Sequence, residues 1–220
     1  MDRQTRMAIF ERQVDVYPVT CESLSAGRSN LEVLGAMIRG GAGIVQLREK
    51  KLTKRELFQM AVDFREVTAA AGVLLMINDH VDIALAVGAD GVHLGQDDLP
   101  ITAARRLGPD LIIGASTHSL DEALLAESQG ADYVNIGPIF PTSTKEGVKD
   151  FLGPKSIAAI GSKVRIPFTV MGGICGSNIG QVIAAGARRV AMVTAITQAR
   201  DISGAVREYK DMLRGNGCSR

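Results

Sequence analysis

The segment Gln46-Leu47-Arg48-Glu49-Lys50 sets an amide and two cations at alternate positions, and on an extended backbone alternate side chains share one side. Two convergent cations suit a phosphate or diphosphate group, and a guanidinium can meet two of its oxygens at once. A solvated charge run is the plainer alternative. Downstream, Asn78-Asp79 and Gly95-Gln96-Asp97-Asp98 each offer carboxylates. Mg2+ takes one or two carboxylates and completes its octahedron with water and substrate phosphate oxygens, so a carboxylate pair beside a basic run fits that ion. Asp98, just ahead of Leu99-Pro100, reads equally well as a helix cap.

A second group of residues is neutral. Ser116-Thr117-His118-Ser119 and the hydroxyl-rich run Gly137-Pro138-Ile139-Phe140-Pro141-Thr142-Ser143-Thr144-Lys145 offer hydroxyls, backbone N–H groups and a closing lysine, which a phosphate ester needs and which ordinary loops also contain. His118, with no nucleophile motif beside it, reads as a structural hydrogen-bonder. Gly172-Gly173 and Val193-Thr194 follow two later apolar runs, and glycine there lets backbone N–H groups approach an anion. Together these residues describe a basic, metal-associated anion site and a neutral one of glycine and hydroxyls. No serine elbow, Walker-type loop, dinucleotide fingerprint or cysteine metal motif competes with that reading.

The elements that must carry these residues announce themselves by repetition. Gly41-Ala42-Gly43-Ile44-Val45, Gly88-Ala89-Asp90-Gly91-Val92, Gly130-Ala131-Asp132-Tyr133-Val134 and Gly186-Ala187-Arg188-Arg189-Val190 are variants of one phrase. In each, glycine suits the left-handed position after a helix and the apolar run suits a buried parallel strand. Further strands are expected at 14–19, 73–77, 111–113 and 167–170, which makes eight, with helices between them, among them 54–70, 120–128 and 202–213. Eight strand–helix units in this length predict an α/β fold, a single (β/α)8 TIM barrel over 14–214. Residues 1–13 read as an extra helix or arm and 215–220 as a flexible tail. The active end of such a barrel is where strands finish, which is where every residue above falls.

Composition removes other classes. A formal charge of +1, spread along the chain, leaves no footprint for nucleic acid or an anionic membrane. No apolar run approaches a membrane span and the first residues lack a secretory signal, so a cytoplasmic location is expected. Cys21, Cys175 and Cys218 are odd in number and scattered, which argues against a disulfide framework or thiolate cluster, and His80, His93 and His118 are too few to favour an all-histidine metal site.

The segments VQLREK, INDHVDIALAVGADGVHLGQDDLP, GASTHSLDEALLAESQGADYVNIGPIFPTSTK and the pair VMGGI and VAMVTAI resemble thiamine-phosphate synthases, in order and from the first strand to the last. The resemblance implies a transferase that joins a hydroxymethylpyrimidine diphosphate to a thiazole phosphate with Mg2+ and releases pyrophosphate. It implies that Gln46, Leu47, Arg48, Glu49, Lys50, Asn78, Ser116 and Lys145 hold the pyrimidine diphosphate. Arg48, Lys50, Lys145 and Ser116 are the catalytic candidates among them. Asp79 and Asp98 would ligate the metal, and Thr142, Ser143, Thr144, Gly173, Val193 and Thr194 would hold the thiazole phosphate. Two small departures stand out: VYPVTCES lacks an Asp that often follows the Thr, and Thr194 stands where serine is usual.

Two neighbouring readings differ in what they require. A thiazole tautomerase would use a histidine at the position of His118 and tends to lack the Asn-Asp pair and the PIFPT loop, both of which are present. A non-catalytic binder of thiamine precursors would bind product without turnover. A sugar-phosphate barrel enzyme shares the glycine cradle but does not account for Arg48, Lys50, Asp79 and Asp98 together.

Overall fold

A computed structural model of the chain describes residues 1–142, 144 and 150–215. In order, its elements are α1 (Arg3–Gln13), β1 (Val16–Pro18), α2 (Asn30–Arg39), β2 (Ile44–Leu47), α3 (Lys54–Ala71), β3 (Leu74–Asn78), α4 (Val81–Ala86), β4 (Gly91–Leu94), α5 (Ile101–Leu107), β5 (Ile112–Thr117), α6 (Leu120–Ser128), β6 (Tyr133–Ile136), α7 (Lys155–Gly161), β7 (Phe168–Val170), α8 (Ile179–Ala184), β8 (Val190–Met192), α9 (Thr194–Thr197) and α10 (Ile202–Gly215). The strands are parallel and run β1-β8-β7-β6-β5-β4-β3-β2 around one sheet. A bridge from Val19 to Gln46, with the Thr20 N–H donating to the Gln46 carbonyl at 2.9 Å, brings the two ends of the sheet together. The fold is the expected (β/α)8 barrel.

Local chemistry explains where the elements stop. Ser29 and Thr53 accept the N–H groups of Glu32 and Glu56, whose carboxylates bond back to the cap N–H groups, so α2 and α3 both open on a capping box. The recurring phrase begins at Gly41, Gly88, Gly130 and Gly186, all at positive φ, and the alanine after each is buried. Glycine is needed there because an L side chain rarely adopts that backbone conformation. The fifth strand is longer than expected. It carries Ser116 and Thr117 as its last residues instead of leaving them to the loop.

The apolar side chains divide into two shells. One lies between the sheet and the helices and includes Val45, Leu47, Leu75, Ile77, Val92 and Val134. The other lies inside the barrel and includes Tyr17, Ile44, Leu74, Met76, Ile112 and Tyr133, joined by Phe10 and Val14 from the N-terminal segment. Residues 1–13 therefore gain a definite position: α1 closes the barrel at the end where strands begin. Phe10 stacks on Tyr133 with ring centroids 4.8 Å apart, and the Arg189 guanidinium lies 5.5 Å from the Phe10 ring. Arg6 pairs with Asp90 at 3.2 Å and Arg3 with Asp132 at 3.6 Å. These aspartates are the third residues of two copies of the phrase, and each also accepts a strand N–H, from Leu75 or Ile113. With one end plugged, only the other can admit a ligand.

Candidate active site

At the open end lies a cavity of about 880 Å³, floored by the barrel interior and walled by the loops that follow the strands. Strand alternation fills its floor. Register sets Asn78 beside His93, Ser116 beside Asn135 and Asn135 beside Thr169, and with Tyr17 and Gln46 all of these line the cavity. Inward-facing strand residues are thus polar near the mouth and apolar near α1.

The basic wall is built by β2 and its loop. Gln46, Arg48 and Lys50 all reach the cavity, as the alternation predicts, and among the described residues no side chain pairs with the Arg48 guanidinium. Lys50 Nζ lies 2.6 Å from Asp79 Oδ2. Leu47, by the same alternation, is buried in the shell between sheet and helices, so its side chain is not at the site. Glu49 lines the cavity, but its carboxylate accepts the Glu22 N–H at 2.7 Å and the Asn30 amide at 2.9 Å. That arrangement ties the loop down and leaves only the backbone of Glu49 suited to an anion.

Asp79 and Asp98 face each other across the β3 and β4 loops. Asp79 adopts φ 65, a left-handed conformation that a non-glycine residue enters at a cost, and its N–H donates to the His93 carbonyl at 2.8 Å. Asp98 does not cap α5, whose first residues follow Pro100 without a side-chain cap. Instead it accepts the Gly95 N–H at 2.6 Å. Burial first, and then the Asp79 carboxylate beside it, hold the Asp98 proton more tightly than in an ordinary carboxylic acid, against the pull of the Gly95 N–H and Lys50. A pair in that condition is short of positive charge. A divalent cation would supply it, and Mg2+ suits a pair of carboxylates with room for water and phosphate oxygens. Among the described residues no cluster of three or more His, Cys, Asp or Glu residues offers a fuller cage.

The neutral wall comes from β6 to β8. Thr142 and Thr144 line the cavity and contact each other, with hydroxyls 3.2 Å apart. Gly172 and Gly173 sit at φ 103 and φ 62, and a Cβ on Gly173 would come 2.9 Å from Phe140 Cβ and run into the Pro141 carbonyl, so the β6 and β7 loops can lie this close only through glycine. Val193 and Thr194 bring the start of α9 to the same edge. Ser143 and Lys145 lie outside the described residues. His118 also lines the cavity, with Nδ1 3.0 Å from a Glu122 carboxylate oxygen.

Sequence reasoning passed over the residues beneath these walls. His93, Tyr17, Tyr133, Asn135 and Thr169 are buried polar groups hydrogen-bonded inside the barrel. Their only signal was a polar or aromatic residue inside an apolar strand, which does not say whether the side chain faces the barrel interior or the helices. No helix among the described residues is long and apolar enough to cross a membrane.

The family model described as thiamine monophosphate synthase matches residues 16–196. A thiamine-phosphate synthase of Pelotomaculum thermopropionicum is 44% identical over 202 residues, covering 91% of this chain and 93% of that protein. One from Haloquadratum walsbyi is 50% identical over 200 residues and covers 90% of each. Among solved structures, the thiamine phosphate pyrophosphorylase of Pyrococcus furiosus superposes with a TM-score of 0.86 at 34% identity, over 94% of this chain and 98% of that one.

Proposed function

The chain belongs to the thiamine monophosphate synthase family, a family of transferases, and from that premise we propose that it joins 4-amino-2-methyl-5-hydroxymethylpyrimidine diphosphate to a thiazole phosphate. The products are thiamine phosphate and pyrophosphate. The observation that carries this reading is the meeting, in one cavity, of a basic wall with a carboxylate pair and a neutral wall of glycine and hydroxyls. Two differently built anion sites facing each other suit two phosphorylated reactants.

In this reading Arg48 and Lys50, with the Gln46 and Asn78 amides and the Ser116 hydroxyl, hold the pyrimidine diphosphate. Asp79 and Asp98 would hold Mg2+, which when bound supplies a Lewis acid for the diphosphate oxygens. As the carbon–oxygen bond to the diphosphate breaks, negative charge grows on the leaving group, and fixed cations stabilise that charge more in the transition state than in the ground state. Thr142, Thr144, Gly173 and the Val193-Thr194 backbone hold the thiazole phosphate so that its ring nitrogen faces the methylene carbon. The new carbon–nitrogen bond forms there, both bonding electrons coming from nitrogen. Holding both reactants supplies much of the rate, and neither a protein nucleophile nor a general base is needed. Lys50, paired to Asp79, stands on the same wall as Arg48 and would add its charge to the diphosphate site. Ser143 and Lys145 retain the roles the resemblance implies for them.

Pyrophosphate release by the purified protein tests the proposal, with each substrate and Mg2+ omitted in turn. Release that needs all three is the expected result. No release while both ligands bind would favour the binder or the tautomerase.

A further inference from the structure

The buried polar residues inside the barrel form one hydrogen-bonded series whose hydrogens can be placed by counting. Gln46 Nε2 donates to the Tyr17 hydroxyl oxygen at 2.9 Å, and the Tyr17 and Tyr133 hydroxyls are 3.1 Å apart. The Tyr133 hydroxyl lies 2.9 Å from His93 Nδ1, and His93 Nε2 lies 2.9 Å from Ser116 Oγ. Tyr17 and Tyr133 are fully buried, whereas Ser116 is only partly buried and ends the series on the cavity wall.

Among the described residues Tyr17 has two partners, and one of them is a donor. Its own hydrogen therefore goes to Tyr133. Tyr133, having accepted that hydrogen, gives its own to His93 Nδ1. A neutral imidazole that accepts at Nδ1 carries its proton on Nε2, and here that proton faces Ser116 Oγ. Because the count makes Nδ1 an acceptor, the imidazole in this series is the neutral Nε2–H tautomer. The Ser116 oxygen is then an acceptor toward the barrel interior, and its hydrogen is left for the cavity. The Gln46 amide, with its nitrogen committed to Tyr17, turns its oxygen outward at the other end of the series.

We infer that Tyr17, Tyr133 and His93 are positioning residues that fix the Ser116 hydroxyl as a donor, and the Gln46 carbonyl as an acceptor, toward the bound pyrimidine diphosphate. The inference rests on the proposed function for the identity of the ligand, but the sense of the series does not. A hydroxyl that turns freely must be oriented at each encounter. One held by a buried series is oriented before substrate arrives, which is how outer hydrogen bonds set the geometry of inner groups. Tyr133 is itself braced from below by Phe10 and stacks against His93, with centroids 5.7 Å apart.

Turning the Gln46 amide over would reverse every donor, put the His93 proton on Nδ1 and make Ser116 an acceptor. The two senses exclude each other, and nitrogen NMR of ring-labelled histidine separates them. The chain has three histidines, and the His93 signals are those missing from His93→Gln. Near neutral pH the expected result is a protonated Nε2 and an unprotonated Nδ1. A protonated Nδ1, or two tautomers in exchange, overturns the inference.

Kinetics provide the second arm. Tyr133→Phe keeps the ring and removes the donor to Nδ1. It should shift the His93 nitrogen signals and lower kcat on the order of tenfold, the scale of one net hydrogen bond, with KM for the thiazole phosphate unchanged. Tyr17→Phe should act in the same direction and serves the test if Tyr133→Phe does not fold. A variant that melts lower yet keeps the wild-type kcat and His93 signals overturns the positioning role. Should the wild type show no turnover, the proposed function fails while the nitrogen spectrum still decides the sense of the series.

Discussion

Asp79 spends conformational energy to be where it is: at φ 65 it sits in a region that costs about 1–2 kcal/mol for a residue with a side chain. That cost is borne by a carboxylate on the cavity wall, paired to Lys50 and facing Asp98, and not by a turn residue far from the site. Asp79→Asn preserves the shape and removes the charge. It should cost under about 1 kcal/mol of stability, because the ion pair it loses has an exposed lysine. Turnover should fall at least on the order of a hundredfold, with Mg2+ no longer stimulating pyrophosphate release, since a fixed electrostatic contact to the reacting group is lost. An Asp79→Asn protein still activated by Mg2+ would remove Asp79 from the metal site. His93 gives a pH prediction of definite sign. Its folded pKa, about 4, lies below the 6.5 of an unperturbed histidine, so between those values the unfolded chain binds the proton and the folded chain does not. Stability is full above about pH 6.5 and declines as pH falls toward 4, by about 3 kcal/mol from this group. Urea unfolding at several pH values should show a shallower acid decline in His93→Gln than in the wild type, and parallel declines would contradict it. At this scale the sequence was legible wherever a charged residue stood outside an apolar run. His93 was not, because a histidine inside a strand cannot be assigned to the inner or outer shell until the phase of that strand is known.

Elements explain why the phase could be read for some residues and not others. Alternation brings Gln46, Arg48 and Lys50 of β2 and its loop to the cavity, and the same alternation puts the Leu47 side chain in the outer shell, leaving its backbone for the role the resemblance implied. Most element ends moved by a residue or two, β5 alone running four residues past its expected end, and Asp98, which resembles a cap by position, bonds to Gly95 instead. For α1 the pattern was silent. Phe10 is the only buried residue among its 11, so no apolar stripe marks a packed face. Yet that one ring plugs the barrel and supports Tyr133. Phe10→Ala should cost about 3–5 kcal/mol, the usual range for deleting a buried aromatic ring, and should lower kcat in the folded fraction by loosening Tyr133. Thermal melting and pyrophosphate release on the same preparation measure both, and a loss of stability with kcat intact would confine α1 to a structural role. The close approach of the β6 and β7 loops makes a separate prediction. Gly173→Ala adds a Cβ against Phe140 and the Pro141 carbonyl at positive φ, so it should raise KM for the thiazole phosphate severalfold while leaving affinity for the pyrimidine diphosphate intact. Equal losses for both ligands would mean that the loops move as one with the basic wall.

Across the whole molecule, the barrel separates its two ends by chemistry. Where strands begin, Asp90 and Asp132 are paired with arginines of α1 and of the surrounding helices, so charge there is neutralised inside the protein. Where strands finish, Arg48 has no side-chain partner among the described residues and Asp98 lies part-buried beside Asp79, so charge there is less fully paired within the protein. The repeated phrase made the strands and the glycines of the first arrangement legible, but not the pairing of Asp90 and Asp132 with arginines, which joins residues far apart in the chain. The second was legible only as two lists of residues, because distances between β2 to β4 and β6 to β8 depend on how the barrel closes. With the two walls on opposite sides of one cavity, their ligand affinities should be separable. Pyrophosphate, as a probe of the basic wall, should stabilise the protein only with Mg2+ present; a thiazole phosphate should stabilise it with or without the metal. At a hundred times its dissociation constant a ligand adds about 2.7 kcal/mol, which for a domain of this size raises Tm by roughly 5–10 °C. Arg48→Ala should abolish the first shift and preserve the second, because the removed charge belongs to one wall alone. Loss of both shifts in a variant that keeps its unliganded Tm would mean that the walls bind cooperatively, with the diphosphate required before the thiazole phosphate can enter.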